Sequence, residues 1–180
     1  MKRIPLEATV LTETLTPELA AQAEAVWLSA NQARLAALGI PLGAVAEGDD
    51  LIVRRLATGA FGVVATDRDE VVAVALAMDA IEDDGKGTDS VPGLMHVSTV
   101  AVVPARWGDR LGQVVLGDVL DEGRRRGYER AQLWTHESNL GAQRLYERTG
   151  WTPSGRTTMD DHGEAIRHYV LDLAGHPGPE

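Results

Sequence analysis

The sequence predicts a single α/β layer fold, and three observations carry that expectation. β-rich runs come first in hairpin order, a strand–helix–strand–helix unit follows, and 180 residues are enough to bury one core. Residues 1–174 are expected to form one domain. The end of the chain, 175–180 (Gly-His-Pro-Gly-Pro-Glu), reads as a disordered tail.

Each element has its own local cause. Residues 4–12 read as an opening strand. Thr16 stands where an N-cap belongs and Pro17 suits the first helical position, so a helix is expected to Leu38, closed by Gly39 and Pro41. Asp49 and Asp50 precede a short helix at 51–57 that stops near Gly59. Two β-rich runs, 61–66 and 71–78, flank the polar turn Asp67-Arg68-Asp69-Glu70. Residues 79–93 are acidic and glycine-bearing and read as a loop. A strand at 94–103 leads to a helix at 111–126, whose apolar residues at 111, 115, 116, 119 and 120 mark one face. Residues 130–135 read as a strand, 139–149 as a helix, and 152–158 with 166–173 as a last hairpin.

Composition narrows the function. The chain is 44% hydrophobic and 24% charged, ordinary for a globular protein, and no apolar run approaches a membrane span. The first residues lack the long apolar stretch of a secretory signal, so cytoplasm is the expected location. Having no cysteine, the chain has no disulfide, thiolate metal site or cysteine nucleophile. A net charge of −10 argues against a general nucleic-acid binder. That charge is uneven: residues 104–150 hold eight arginines against seven acids, while the rest of the chain carries a net of −11. An arginine-rich segment in an acidic chain suits a polyanionic cofactor, although solvated helix faces account for several of these arginines.

Two segments carry the chemistry. In residues 100–113 an apolar strand ends at Pro104 and opens through Trp107-Gly108-Asp109-Arg110-Leu111-Gly112 into a helix. A glycine turn at a helix start presents unpaired N–H groups and the positive end of the helix dipole, a device for holding phosphates. In residues 139–151, Asn139 is followed by Leu145-Tyr146 and Gly150-Trp151. Asn139 and Tyr146 are seven residues apart and share one helix face about 10 Å apart.

This order of strand, proline, glycine turn, helix, strand, Asn, helix, Leu-Tyr and Gly-aromatic resembles the GNAT superfamily of acyl-CoA-dependent N-acyltransferases. The resemblance covers residues 61–173 in element order and is specific over 100–113 and 139–151. It implies a mixed, mostly antiparallel central sheet of six to seven strands with helices on both faces. The family's phosphate turn, Gln/Arg-x-x-Gly-x-Gly/Ala, falls on Trp107 to Gly112. Trp107 stands at the Gln/Arg position and Arg110 at the first glycine, where its guanidinium would contact the pyrophosphate and Gly108 would supply unusual backbone geometry. The resemblance places Gln113 in the same cofactor-binding set. It also implies that main-chain groups of Val100, Ala101 and Val102 pair with pantetheine, with the Val102 N–H as oxyanion donor. Asn139 would bond near the pantetheine while also capping its helix, and Tyr146 would be the general acid for the departing thiolate.

The base is less fixed by the resemblance. A Glu that some relatives carry in the strand before the Asn is Trp134 here, whereas a base that others carry on the phosphate strand falls on His96. Strand alternation puts His96 in phase with Ser98, Val100 and Val102, and a histidine titrating near neutrality would accept a proton from an ammonium. His136, Asp79 and Glu82 are the alternatives. The reading is therefore an acetyl-CoA-dependent N-acetyltransferase using no metal, which acts on a small-molecule or peptide amine by direct attack in a ternary complex. The alternative is a catalytically silent acyl-CoA-binding module. Acidic residues Glu47, Asp49 and Asp50 beside Glu82, Asp83 and Asp84 suit a cationic acceptor, and solvated charge explains them equally well. Homodimers are common among similar proteins, and neither a nucleic-acid nor a membrane partner is expected.

Overall fold

The computed structural model describes residues 10–40 and 50–175. Its elements are β1 (Leu11–Thr14), α1 (Ala20–Ala37), α2 (Leu51–Ala57), β2 (Phe61–Asp67), β3 (Glu70–Ile81) and the single turn α3 (Glu82–Gly85). There follow β4 (Ser90–Val102), α4 (Leu111–Arg125), β5 (Arg130–His136), α5 (Leu140–Arg148), β6 (Thr152–Met159) and β7 (Ala165–Asp172). The seven strands form one sheet in the order β1-β2-β3-β4-β5-β7-β6. Every neighbouring pair is antiparallel except β4 and β5, which run parallel. The mixed α/β sheet expected from the sequence is the one observed.

Each face of the sheet buries its own core. On one face α4 and α5 pack Leu111, Val115, Leu116, Val119 and Tyr146 over Met95 and Leu133. All five apolar positions expected on the α4 face are buried, and covering one such side chain is worth about 1.5–3 kcal/mol. On the other face Ala23 and Val26 of α1 and Ile52 of α2 cover Val74, Leu76 and Ala101. Among the described residues, no helix is long and apolar enough to cross a membrane.

Two boundaries differ from expectation, each for a local reason. The first helix starts at Ala20, because the Thr16 and Pro17 carbonyls accept from Leu19 and Ala20 in a preceding turn (3.1 and 3.3 Å). The segment read as a loop over 79–93 is mostly strand. Asp79 pairs with Met95 and Ile81 with Ser90, leaving a turn in which Asp83 and Asp84 take left-handed backbone. Of the opening strand expected at 4–12, residues 4–9 lie outside the described residues, as do 41–49 and tail residues 176–180.

The sheet opens where the site is expected. The β4–β5 ladder holds only three pairs, Leu94 with Arg130, Met95 with Ala131 and His96 with Gln132. Beyond them residues 97–102 and 133–136 part company. Val103 donates to the Val72 carbonyl on the β3 side (2.9 Å). Strand alternation therefore turns the Val102 N–H and C=O toward the opening.

Candidate active site

A bulge decides which way the residues of β4 face. Leu76 pairs with Thr99 and Ala77 with Val97, so Ser98 is an extra residue with its hydroxyl on the Leu76 carbonyl (3.4 Å). One inserted residue flips the side chains that follow it. The single alternating face expected for His96, Ser98, Val100 and Val102 is therefore not formed. Val100 and Val102 lean on the α4 side, within 4.0 Å of where a Cβ on Gly112 would stand. His96 shares the opposite face with its pair partner Met78, in line with Leu76 and Thr99 and under α1 and α2.

The turn before α4 keeps the backbone of a glycine turn. Gly108 has φ +96°, and Arg110 has φ +62°, a left-handed conformation that suits glycine better than arginine. The family's first glycine position thus retains the geometry of glycine while carrying a guanidinium. Leu111 and Gly112 open the helix, where N–H groups lack an intrahelical acceptor. The Gln113 N–H is already bonded to the Arg110 carbonyl (3.0 Å), which removes it from the set of donors. Asp109 does not oppose an anion, because its carboxylate is turned onto Arg106 (2.5 Å), which also reaches Asp67 on β2 (2.7 Å). Trp107 is half exposed, and its indole N–H donates to the Val102 carbonyl (2.8 Å).

Gly112 sits against packed side chains, not open space. An added Cβ would meet Leu145 Cδ2 at 3.4 Å and Val102 Cγ2 at 3.6 Å. The position therefore admits alanine and crowds anything larger. Asn139 is the N-cap of α5, its Oδ1 accepting from the Ala142 N–H (3.1 Å). Tyr146, one face along, is buried beside Trp151 and Tyr169, with ring centroids 6.0 and 5.8 Å away. Burial, and then Tyr169, raise its pKa, so the phenol holds its proton at any working pH.

The expected near-neutral titration of His96 is not observed. Burial, then the charges of Arg55 and His168, push it down to about 4 against the opposing pull of Asp84. Its Nδ1 is buried without a hydrogen-bond partner among the described residues, and so is Thr99 Oγ1 on the same face. Of the alternatives, His136 Nε2 lies 3.0 Å from Asp160, in a knot closed by the Arg34–Glu164 ion pair (2.9 Å). Asp79 accepts from the Tyr128 hydroxyl (2.6 Å), and Glu82 is exposed at the α3 turn.

Several polar neighbours of His96 belong to no motif in the sequence. Gln132 and His168 are buried and joined (3.1 Å), and His168 reaches Ser154 (2.8 Å). Trp134 lies on His168 at 4.7 Å between ring centroids. Arg156 lies over Trp134 and forms an ion pair with Asp84. Burial, then Arg156, keep the His168 pKa low. Two signals were available in the sequence: a glutamine inside the apolar run Ala131–Leu133 and a histidine inside the final strand.

The comparisons agree with this architecture. The sequence matches the model of the family described as Acetyltransferase (GNAT) family over residues 17–151, and the chain belongs to that family. Among curated proteins no sequence matches it. Similar solved structures include the ribosomal-protein-S18-alanine N-acetyltransferase of Escherichia coli, 16% identical with a TM-score of 0.67. That match covers 94% of this chain and 97% of the other. The yncA protein of Salmonella typhimurium, solved with acetyl-CoA, is 20% identical with a TM-score of 0.66, covering 96% and 98%. The PaiA N-acetyltransferase of Thermoplasma acidophilum, solved in complex with coenzyme A, is 12% identical with a TM-score of 0.61, covering 89% and 98%.

Proposed function

We propose that this protein transfers the acetyl group of acetyl-CoA to a primary amine by direct attack. The observation that carries the reading is the parted β4–β5 pair, whose free strand edge leads into a left-handed turn and a helix N-terminus. A strand edge with unpaired N–H and C=O groups accepts an amide-bearing chain as an added strand, and the helix start accepts its phosphates. Acetyl-CoA supplies the activated acetyl group as co-substrate.

The chain's own residues then have the following roles. Leu111 and Gly112 N–H groups, with the Arg110 guanidinium, hold the pyrophosphate. Val100 to Val102 hold the pantetheine, except that the Val102 carbonyl is already used by Trp107. The Val102 N–H receives the developing oxyanion. The amine nitrogen bonds to the carbonyl carbon as the C–S bond breaks. His96, neutral above about pH 4, accepts the proton that the attacking nitrogen sheds. Attack makes that N–H far more acidic than it was in the free amine, so a weak base suffices. Tyr146 protonates the leaving sulfur and regains a proton from His96 through solvent.

Tyr146→Phe tests this assignment. With an amine that the wild type acetylates, turnover measured as release of CoA thiol should fall about 10²–10⁴-fold. CoA affinity should hold, because the ring packing is kept. A variant that turns over like the wild type would remove Tyr146 from the acid role. A wild-type protein that binds CoA but acetylates no amine in a broad panel favours the silent binding module.

A further inference from the structure

The face of the sheet turned toward α1 and α2 changes character at the bulge. Val74, Leu76 and Ala101 are apolar and covered, whereas Thr99, His96, Gln132 and His168 form a polar continuation of the same face. Two buried polar atoms there, Thr99 Oγ1 and His96 Nδ1, have no partner among the described residues. Buried polar groups are ordinarily hydrogen-bonded, so two unpartnered atoms on one face point to a ligand that completes them.

The charge over this face is specific. On α2, Arg55 stands one turn from Ile52 and beside Leu56, both of which pack into the core below. Its guanidinium is desolvated, which lowers its pKa, and its charge reaches His96. Glu24 is close enough to oppose the desolvation, but its Oε2 accepts from the Ile52 N–H (2.7 Å), and the described residues give Arg55 no ion pair. The other groups in reach are already matched. Arg156 is paired with Asp84, and His168 is bonded at both nitrogens. A half-buried arginine whose neighbouring carboxylate is tied to a backbone N–H, and to which the described residues give no ion pair, keeps its guanidinium N–H groups for a carboxylate ligand.

We propose that the acceptor is a primary amine carrying a carboxylate within a few bonds of the nitrogen, with Arg55 binding the carboxylate and Thr99 and His96 facing the amine. This deepens the acetyl-transfer reading and rests on it. It also reverses the cationic acceptor suggested by the acidic loops, since Asp84 is spent on Arg156 and, among the described residues, Arg55 is the cation over this face without an ion pair. An amine flanked by a carboxylate is pulled into register at both ends. A polyamine would meet Arg55 as a like charge.

The test compares each of several α-amino acids with its carboxamide and its decarboxylated amine, using acetyl-CoA and thiol release. A parallel set of C-terminally amidated peptides beginning with Asp or Glu separates a peptide carboxylate from a free amino acid. The carboxylate-bearing member should have a kcat/KM at least tenfold above its neutral partner. Arg55→Gln should erase that preference through KM, with kcat and CoA affinity little changed, and Arg55→Lys should keep part of it. A neutral or cationic amine used as well as the acid overturns the proposal, as does a preference that survives Arg55→Gln. Should Arg55→Gln fail to fold, the wild-type ratios decide alone. A protein that binds CoA yet acetylates no carboxylate-bearing amine also overturns the proposal. Failure to bind CoA at all instead overturns the acetyl-transfer reading beneath it.

Discussion

His96 couples stability to pH in a direction that can be worked out. Its folded pKa lies at about 4 against an ordinary 6.5, because burial and the Arg55 charge penalise the imidazolium. Between these values the unfolded chain binds the proton and the folded chain does not, so stability falls as pH drops from about 6.5 to about 4. Below about 4 both states are protonated and the loss levels off at about 3 kcal/mol. His96→Gln cannot titrate and should flatten the curve above about pH 5, leaving there the slope contributed by His168, which is lowered in the same direction. Asp160 and Glu164, whose pKa values are also lowered, add their own slope toward about pH 4. Urea midpoints measured at half-unit steps from pH 7 to pH 4 would show it. An unchanged slope would mean that His96 is hydrated in solution, and its role as a neutral acceptor would go with its burial.

At the scale of an element, the start of α4 joins a strained backbone to an exposed guanidinium. Arg110 is left-handed and exposed, so its conformation is maintained by the turn and not by contacts of its own side chain. Arg110→Gly should relieve strain and raise stability by up to about 1 kcal/mol. It should also weaken CoA binding, since a lost charge-assisted contact costs about 1.5–3 kcal/mol. Arg110→Ala should weaken CoA binding equally without the gain in stability. Calorimetric CoA titrations beside thermal melts of both variants separate the two effects, and unchanged affinity in both would assign Arg110 to the turn alone. The same elements show what is legible in sequence. The α4 face repeats at helical spacing, and each apolar residue on it is buried, because packing follows a period that composition records. The bulge at Ser98 is invisible, since His96, Ser98, Val100 and Val102 alternate as in a regular strand. The extension of β3 past Met78 was hidden by Asp79, whose carboxylate is accommodated at the sheet by the Tyr128 hydroxyl. Of the candidate site, the turn before α4 and the place of Tyr146 on α5 were legible because a family spacing marks them. Arg55, Gln132 and His168 were not, because residues contributed by different elements form a site only once the sheet brings them to one face.

Across the whole molecule, β5 is tied to β4 by a three-pair ladder, after which the two strands diverge. The β5, β7 and β6 half is held to the rest by the core beneath α4 and α5 and by Arg34 of α1 reaching Glu164. A ligand laid along the opening would touch both halves and add to the stability of the folded state alone. At a hundredfold excess over its dissociation constant, CoA should contribute about 2.7 kcal/mol. For a domain of this size, that raises the melting temperature by about 5–10 °C. The protection should also be local. Amide exchange should slow most at residues 97–102, whose outward N–H groups would gain acceptors from the ligand, and at the first turn of α4. Pairs in the β1–β2–β3 meander, already complete in their ladders, should change least. Thermal melts with millimolar CoA and exchange read by mass spectrometry provide the measurement. A melting temperature that does not move, or protection confined to the meander, would show that the opening between β4 and β5 is not where CoA binds.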